Sequence, residues 1–433
     1  MLRRAEGEHL AGVPRGGPGR GTSAVAQQPA AERVRSGPAR RRVPACPELE
    51  CVRHRLPPGV IAAAEQRAFR FGVGADRVLI AWRAITEDAY VVALAAALRV
   101  PYESLEQVPR RSCTLTDAKL IDADRTGLLP LQVDGEPICV IAPQGLTARR
   151  LMTGRHPIPP ERIRLTSRRR LRQFVTRHGA AELAQRSAHR LRIAQPALSA
   201  ATHGRGPNVG WVIAAAVLAS ATMAFPRAAA AAMSIALALT FLAWTGLRVL
   251  GAATARRRWR LARLRANELP VYTIIVALYD EAAATKGLIA ALRRLDYPPE
   301  KLDIKLVLEP DDMSTRAALD ALGLGAPFEI VLAPRAGPRT KPKALNAALA
   351  FARGSFTAVF DAEDRPAPDQ LHRALDVLLA EGPATACVQA RLTIDNTRDG
   401  WLARGIMAQT PPPGAPRYRS QRAGCRGVQC LGT

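Results

Sequence analysis

Apolar runs and helical patterns alternate most regularly between residues 271 and 364. Four short apolar-rich runs predict buried strands, at residues 271–278, 304–308, 328–332 and 356–360. Between these runs apolar residues recur at helical spacing, and residues 340–352 predict a helix that stops at Gly354. Strands that alternate with helices predict an α/β domain with a mostly parallel sheet and helices on both faces.

Acidic residues directly follow three of these predicted strands. They are Asp280 and Glu281 after the first, Glu309, Asp311 and Asp312 after the second, and Asp361, Glu363 and Asp364 after the fourth. In a parallel sheet these ends meet at one edge, where ligands bind. Carboxylates suit Mg²⁺ or Mn²⁺, and such an ion can hold a diphosphate. For the last group, a capped turn before Arg365-Pro366 is the alternative.

The N-terminal half carries weaker patterns. Residues 1–60 lack an apolar period and predict a disordered basic tail. Residues 61–160 predict a small α+β module with a helix that Thr86 precedes as a cap, and a hairpin through Asp134-Gly135. Residues 161–208 predict a basic helical linker, whose arginines are also explained as a solvated helix face.

Two uncharged runs, at residues 209–225 and 228–247, are apolar enough to predict a pair of transmembrane helices over residues 209–250. Arginines flank the pair on both outer sides, whereas only Arg227 lies between the runs. The positive-inside rule therefore predicts a multi-pass inner-membrane protein with the N-terminal module and the sheet domain in the cytoplasm. A buried hairpin of a soluble protein is the alternative.

The charge of the chain bears on whether it binds nucleic acid, and its cysteine content bears on whether it forms disulfides or metal sites. The net charge of +25 would suit nucleic acid. The arginines, however, lie in tails and beside apolar runs, which disfavours that partner. The seven cysteines show no repeated pairing, and we predict Cys46 and Cys51 to be free thiols.

Four segments together resemble the family 2 glycosyltransferases near the cellulose-synthase-like branch, in order and in spacing. They read VALYDE up to Glu281, LEPDD up to Asp312, KPKALN up to Asn346 and DAED up to Asp364. The resemblance implies a GT-A domain over residues 268–409. It also implies a UDP-sugar donor, inversion at the anomeric carbon and a glycan or lipid acceptor.

The resemblance also implies roles for single residues. Asp280 and Glu281 would line the nucleotide pocket, and one of Glu309, Asp311 and Asp312 would contact the uracil. A second set would lie near the diphosphate: Lys341, Lys343 and Asn346. Asp361 and Glu363 stand at the DxD motif of the family and would be catalytic, and the metal ligands would be Asp361, Glu363 and Asp364.

Two motifs of the relatives are missing from the sequence: a later acidic segment that supplies the general base, and QxxRW. Residues 410–433 are rich in proline and arginine without an apolar period, which predicts an irregular, frameshifted or truncated end. We therefore expect weak binding of UDP and metal and poor sugar transfer. A non-catalytic membrane scaffold with a vestigial transferase domain is the alternative.

Residues 75–151 resemble the N-terminal domain of type II secretion ATPases. The resemblance implies an assembly or regulatory role for the module, with a possible protein partner. No GxxxxGK[ST] motif occurs in the sequence, so an ATPase motor is not supported.

Overall fold

The computed structural model describes residues 46–143, 145–199, 209–254, 264–382, 385–390 and 418–422. The predictions for residues 1–45, and most of those for residues 410–433, lie outside this part of the chain. The prediction of a disordered tail to residue 60 is wrong for its last 15 residues. A 3₁₀ helix occupies Pro47–Arg55, because Leu49 and Val52 are fully buried and Glu48 pairs with Arg149 at 2.7 Å.

The N-terminal module combines short helices with a three-stranded sheet. Its elements are α1 (Pro58–Phe71), α2 (Ala75–Ala81), α3 (Glu87–Leu98), α4 (Asp117–Thr126), β1 (Leu128–Val133), β2 (Glu136–Ile141), α5 (Thr147–Met152) and β3 (Ile163–Leu165). Short 3₁₀ helices lie at Arg110–Ser112 and Pro160–Arg162. The order β1-β2-β3 pairs β1 with β2 antiparallel and β2 with β3 parallel. The predicted α+β arrangement is therefore present.

Two local predictions for the module are confirmed. Val133 pairs with Glu136 across Asp134 and Gly135, whose positive φ values of 52° and 83° suit a two-residue hairpin turn. The Thr86 side chain accepts the Ala89 N–H at 3.2 Å and so caps α3. Cys46 and Cys51 are free, and burial raises the pKa of each thiol to about 11.

The segment predicted as a basic linker forms α6 (Arg168–His178) and α7 (Ala180–Ala194), with a 3₁₀ helix at Pro196–Leu198. The segment is helical, as predicted, but its helices pack against the rest of the protein and are not fully exposed to solvent. Leu171, Phe174 and Val175 are buried in a core that continues into the large sheet. Arg168 and Arg172 are buried beside these residues and pair with Asp124, whereas Arg169 and Arg177 are exposed.

Two apolar helices follow, α8 (Val209–Ala224) and α9 (Pro226–Thr254), and no part of the spanning window of α9 is buried. The stretch Pro226–Leu250 of α9 is long and apolar enough to cross a bilayer. The 16 residues of α8 fall just below the roughly 17 that a bilayer core requires. Of the two predicted spans, only the second meets the criterion among the described helices.

The large sheet has the order β6-β5-β4-β7, and every described pairing in it is parallel, as predicted. Its strands are β4 (Tyr272–Leu278), β5 (Leu302–Leu308), β6 (Phe328–Leu332) and β7 (Phe356–Phe360). Its helices are α10 (Ala282–Arg293), α11 (Met313–Ala321), α12 (Lys341–Leu349) and α13 (Gln370–Glu381), with a 3₁₀ helix at Pro299–Lys301. A separate pair, β8 (Thr385–Ala390) and β9 (Tyr418–Arg422), is antiparallel.

Alternating side chains divide the sheet between two cores. In β4, Ile274 and Val276 face a core that contains residues of α10, α11 and α13. Ile275 faces the other core, with residues of α12, α6 and α7. This period of two places helices on both faces of the sheet.

Two predicted boundaries differ from the structure. The helix predicted to run to residue 352 ends at Leu349. Gly354 does not stop it but lets the chain approach β4, because a Cβ at this position would lie 2.4 Å from the Thr273 nitrogen. Within the tail predicted as irregular, Tyr418–Arg422 is a strand, because its backbone pairs with β8.

Candidate functional site

Three adjacent strands deliver acidic residues to one edge of the sheet. Strand β4 lies between β5 and β7, and all three run parallel. Asp280 follows β4, Glu309 follows β5 and Asp361 follows β7 directly. The predicted site residues thus emerge from neighbouring carboxyl ends, the usual place of ligand sites in such sheets.

The turn after β4 is tied to the turn after β5. The Asp312 carboxylate accepts the Asp280 N–H at 2.8 Å and the Thr315 N–H at 3.0 Å, and it caps α11. The Glu281 N–H donates to the Thr315 hydroxyl at 2.9 Å. Burial alone would raise the pKa of Asp312, but these donors outweigh it and hold that pKa below its usual value. Asp312 therefore holds the backbone of two turns at this edge of the sheet. Its contact with the uracil of the donor stays a prediction.

Three ion pairs join the acids to one basic segment before and within α12. Arg339 pairs with Asp311 at 2.8 Å, Lys341 contacts Asp361, and the Lys343 Nζ lies 3.4 Å from Glu309. The first two pairs are exposed to solvent, whereas Lys343 and Glu309 are buried. We name this arrangement, residues 339–343 with the facing acids, the charged edge.

The sequence analysis singled out five of these six side chains: the acids Glu309, Asp311 and Asp361 and the cations Lys341 and Lys343. It missed Arg339, although the spacing of Arg339, Lys341 and Lys343 at every second residue was a visible signal. Lys343 also donates to the Pro334 carbonyl at 2.9 Å, which fixes its ammonium near the end of β6. The charged edge therefore holds both signs of charge at short range.

The segment from Asp361 to Asp364 is a closed turn, since the Asp364 carboxylate accepts the Asp361 N–H at 2.8 Å. This contact matches the capped-turn alternative in part, but α13 begins only at Gln370. The Glu363 side chain is exposed. The turn leaves the Asp361 and Glu363 carboxylates available to a ligand, with Asp361 held by Lys341.

The described residues contain no group of three or more His, Cys, Asp or Glu side chains placed to hold a metal ion. The carboxylates of Asp361 and Glu363 are nevertheless hard oxygen donors of the kind that Mg²⁺ and Mn²⁺ prefer. Mg²⁺ is commonly bound by one or two carboxylates with substrate phosphates and water. The donors fit a site of that type, which a phosphate ligand would complete.

The side chain of Asn346 is held by a contact with α7. Its side-chain amide donates to the Ser187 carbonyl of α7 at 2.9 Å. The side-chain amide therefore points toward α7, which packs against α12. Its predicted proximity to a diphosphate stays a prediction.

Comparison with known proteins finds a family match over the sheet domain. Residues 273–430 match the model of Glycosyl transferase family 2. The match extends through the segment from residue 410 that we expected to be frameshifted. A beta-monoglucosyldiacylglycerol synthase of Synechocystis sp. is 30% identical over 141 residues, which are 32% of this chain and 29% of that relative. The chain thus spans less than a third of the curated relative's length.

Two solved structures show a partial likeness to this chain. A mannosyltransferase from Pyrobaculum calidifontis, in complex with GDP-Man and Mn²⁺, is 27% identical over 39% of this chain and 49% of its own, with a TM-score of 0.31. S. aureus TarS in complex with UDP-GlcNAc is 21% identical over 24% of this chain and 30% of its own, with a TM-score of 0.22.

Proposed function

We propose that the glycosyl transferase family 2 domain over residues 273–430 makes this chain a membrane-anchored glycosyltransferase that uses a nucleotide sugar. The donor we propose is a UDP-sugar, the reaction inverts the anomeric carbon, and the acceptor is a glycan or a lipid. The observation that carries the proposal is the charged edge. Lysines that suit a diphosphate and carboxylates that suit a divalent cation meet there, beyond the ends of parallel strands.

Each side chain of the charged edge has a role in this proposal. Lys343 is buried and oriented by Glu309 and the Pro334 carbonyl, so it presents a fixed positive charge to the diphosphate. Lys341 is exposed, so its side chain is free to move and supplies a second positive charge to the diphosphate. Fixed charge near a leaving group that becomes more negative stabilises the transition state.

Asp361 and Glu363 would hold Mg²⁺ or Mn²⁺ with the phosphates. When bound, the cation neutralises charge on the departing diphosphate. The acceptor hydroxyl must also lose its proton to a carboxylate. We assign no described residue to that role, and weak transfer by this chain stays a prediction.

We also propose that α9, with α8 beside it, anchors the protein in the inner membrane. Its apolar side chains, such as Phe241 and Trp244, are more than 60% exposed, which is costly in water and suits lipid. The arginine flanks support a cytoplasmic position for the module and the transferase domain. An assembly or regulatory partner of the module stays a prediction.

The test is calorimetric titration of UDP into the full chain in detergent, with and without Mn²⁺. We expect Mn²⁺ to strengthen UDP binding, and Asp361→Ala to remove that effect. Asp369→Ala is the matched control, because Asp369 lies outside the charged edge and pairs with Arg373 at the start of α13. If UDP does not bind under either condition, the donor-site proposal fails and the scaffold alternative is favoured.

A further inference from the structure

A cavity of about 840 Å³ begins at the amino-terminal edge of the large sheet and runs along the edge strand β6. Leu302 and Phe328, the first residues of β5 and β6, contribute to its wall, and α6 together with α2 of the N-terminal module covers it. Strand β5 has seven residues, so its two ends lie about 20 Å apart. The start of the cavity is therefore remote from the charged edge.

Three guanidinium groups converge where this cavity meets a second one of about 270 Å³. Arg77 of α2, Arg168 of α6 and Arg353 from the α12–β7 connection line both cavities. Arg168 donates to Asp124 at 2.9 Å, and Arg353 donates to Asp303 at 2.9 Å. Arg77 forms no ion pair within the described ranges of the chain.

The positive charge of Arg77 is repelled by that of Arg353. The nearby Arg353, followed by burial, lowers the pKa of Arg77 to about 10, and burial lowers that of Arg168 to about 10. Both shifts mean that the positive charge is destabilised at this place. An anion between the three groups would remove that destabilisation.

Three acids in the wall of the cavity have other partners. Glu300 pairs with Arg67 at 2.8 Å, and Asp88 pairs with Arg169 at 2.6 Å. Glu329 is held by Lys305 and Arg172. Glu87 also lines the cavity, but no ion pair between it and Arg77 is formed in the described structure. The positive charge of Arg77 is thus left for a ligand.

We propose that this cavity binds a small phosphate-bearing molecule, with its phosphate between Arg77, Arg168 and Arg353. Guanidinium groups recognise phosphate through paired, charge-assisted hydrogen bonds. The volume lies in the range of small-molecule sites. Since Arg77 belongs to the module and Arg353 to the sheet domain, the ligand clamps the two together. This site is independent of the proposed transferase function.

The experiment measures pyrophosphate binding to the full chain in detergent by calorimetry, without divalent metal. Arg77→Gln is expected to weaken the affinity of the cavity at least tenfold. Arg111→Gln, which removes an exposed arginine of the same module outside the cavity, should leave it unchanged. Lys341→Met removes a cation of the charged edge and should also leave the Arg77-dependent affinity in place.

Thermal unfolding supplies a second readout. Without anion, Arg77→Gln should unfold at a higher temperature than the wild type, because the repulsion with Arg353 is gone. With pyrophosphate, the wild type, Arg111→Gln and Lys341→Met should gain stability, whereas Arg77→Gln should gain less. Wild-type affinity in Arg77→Gln, or binding that disappears in Lys341→Met, would overturn the proposal. UDP binding is measured separately, so failure here leaves the transferase proposal unaffected.

Discussion

The Asp312 carboxylate accepts the backbone N–H of Asp280 at 2.8 Å, and Asp280 has a φ of 54°. A non-glycine residue in this left-handed region needs support from its surroundings. Asp312 gives that support and caps α11 at the same time. One carboxylate therefore fixes two of the three turns that carry the acidic residues.

Replacing this carboxylate should weaken both the fold and the site. We expect Asp312→Ala to lower the free energy of unfolding by about 1–2 kcal/mol, the range for a lost helix cap. Because the pKa of Asp312 is lowered in the folded state, its stabilisation is present above the ordinary aspartate pKa and is lost as the pH falls through the folded value. Urea unfolding at pH 7 and pH 3 measures both effects. A variant as stable as wild type at pH 7 would contradict the expectation.

A second prediction concerns Asp76, a buried carboxylate of α2 whose Oδ1 has no hydrogen-bond partner among the described residues. Burial raises its pKa from about 4 to about 7. Below about pH 4 this carboxyl is protonated in both the folded and the unfolded state, so its ionisation does not affect stability. As the pH rises from there through about 7, the unfolded state loses the proton more readily, and the free energy of unfolding falls. Asp76→Asn should flatten this dependence and stabilise the protein at pH 8.

The measurement is the unfolding temperature of the full chain between pH 5 and pH 8. Asp122→Asn, at an exposed carboxylate of the same module, serves as the control and should keep the wild-type slope. An unchanged slope in Asp76→Asn would show that another group is responsible.

The contact of Lys341 with Asp361 leads to a third prediction, which rests on the proposed donor site. In the absence of nucleotide, this ammonium competes with a metal ion for the same carboxylate. Lys341→Met should therefore bind Mn²⁺ more tightly when no nucleotide is present, yet bind UDP more weakly. Electron paramagnetic resonance of free Mn²⁺ and calorimetry with UDP measure the two opposite effects. Lys286→Met, at an exposed lysine of α10, should change neither quantity.

The buried pair of Glu309 and Lys343 provides a fourth prediction. Removing one member leaves a buried charge without its partner, which typically costs about 3–5 kcal/mol. Glu309→Gln and Lys343→Met should each destabilise the chain, while the double variant should lose less than the sum of the two. Urea unfolding of the four proteins gives the coupling energy. Strict additivity would mean that the two charges do not interact.

The sequence was informative where a pattern is local. The strands of the large sheet follow from their apolar runs, and their parallel order puts Asp280, Glu309 and Asp361 at one edge. Local patterns also predicted the Thr86 cap and the hairpin at Asp134. These features depend on neighbours within a few residues, so a single sequence contains them.

Other features depend on contacts between distant segments. Two apolar residues, Leu49 and Val52, do not make a recognisable helical or strand pattern. They are nevertheless buried in the folded protein, where Glu48 pairs with Arg149, about a hundred residues later in the chain. The hydrogen bond from Asn346 to Ser187 likewise requires the position of α7 on α12. A sequence pattern alone cannot supply such a position, because helix docking is set by the packed surfaces of both partners.

Helix α12 packs its buried surface against α6, the helix that follows the N-terminal module. Ala344 and Ala347 lie in the same core as Leu171 and Phe174 of α6, and the Arg172 guanidinium stacks over the Phe351 ring at 5.0 Å. A fragment that starts at residue 264 would leave this apolar surface open to water. We expect such a shortened protein to aggregate, whereas co-expression with residues 46–199 as a separate polypeptide should restore its solubility.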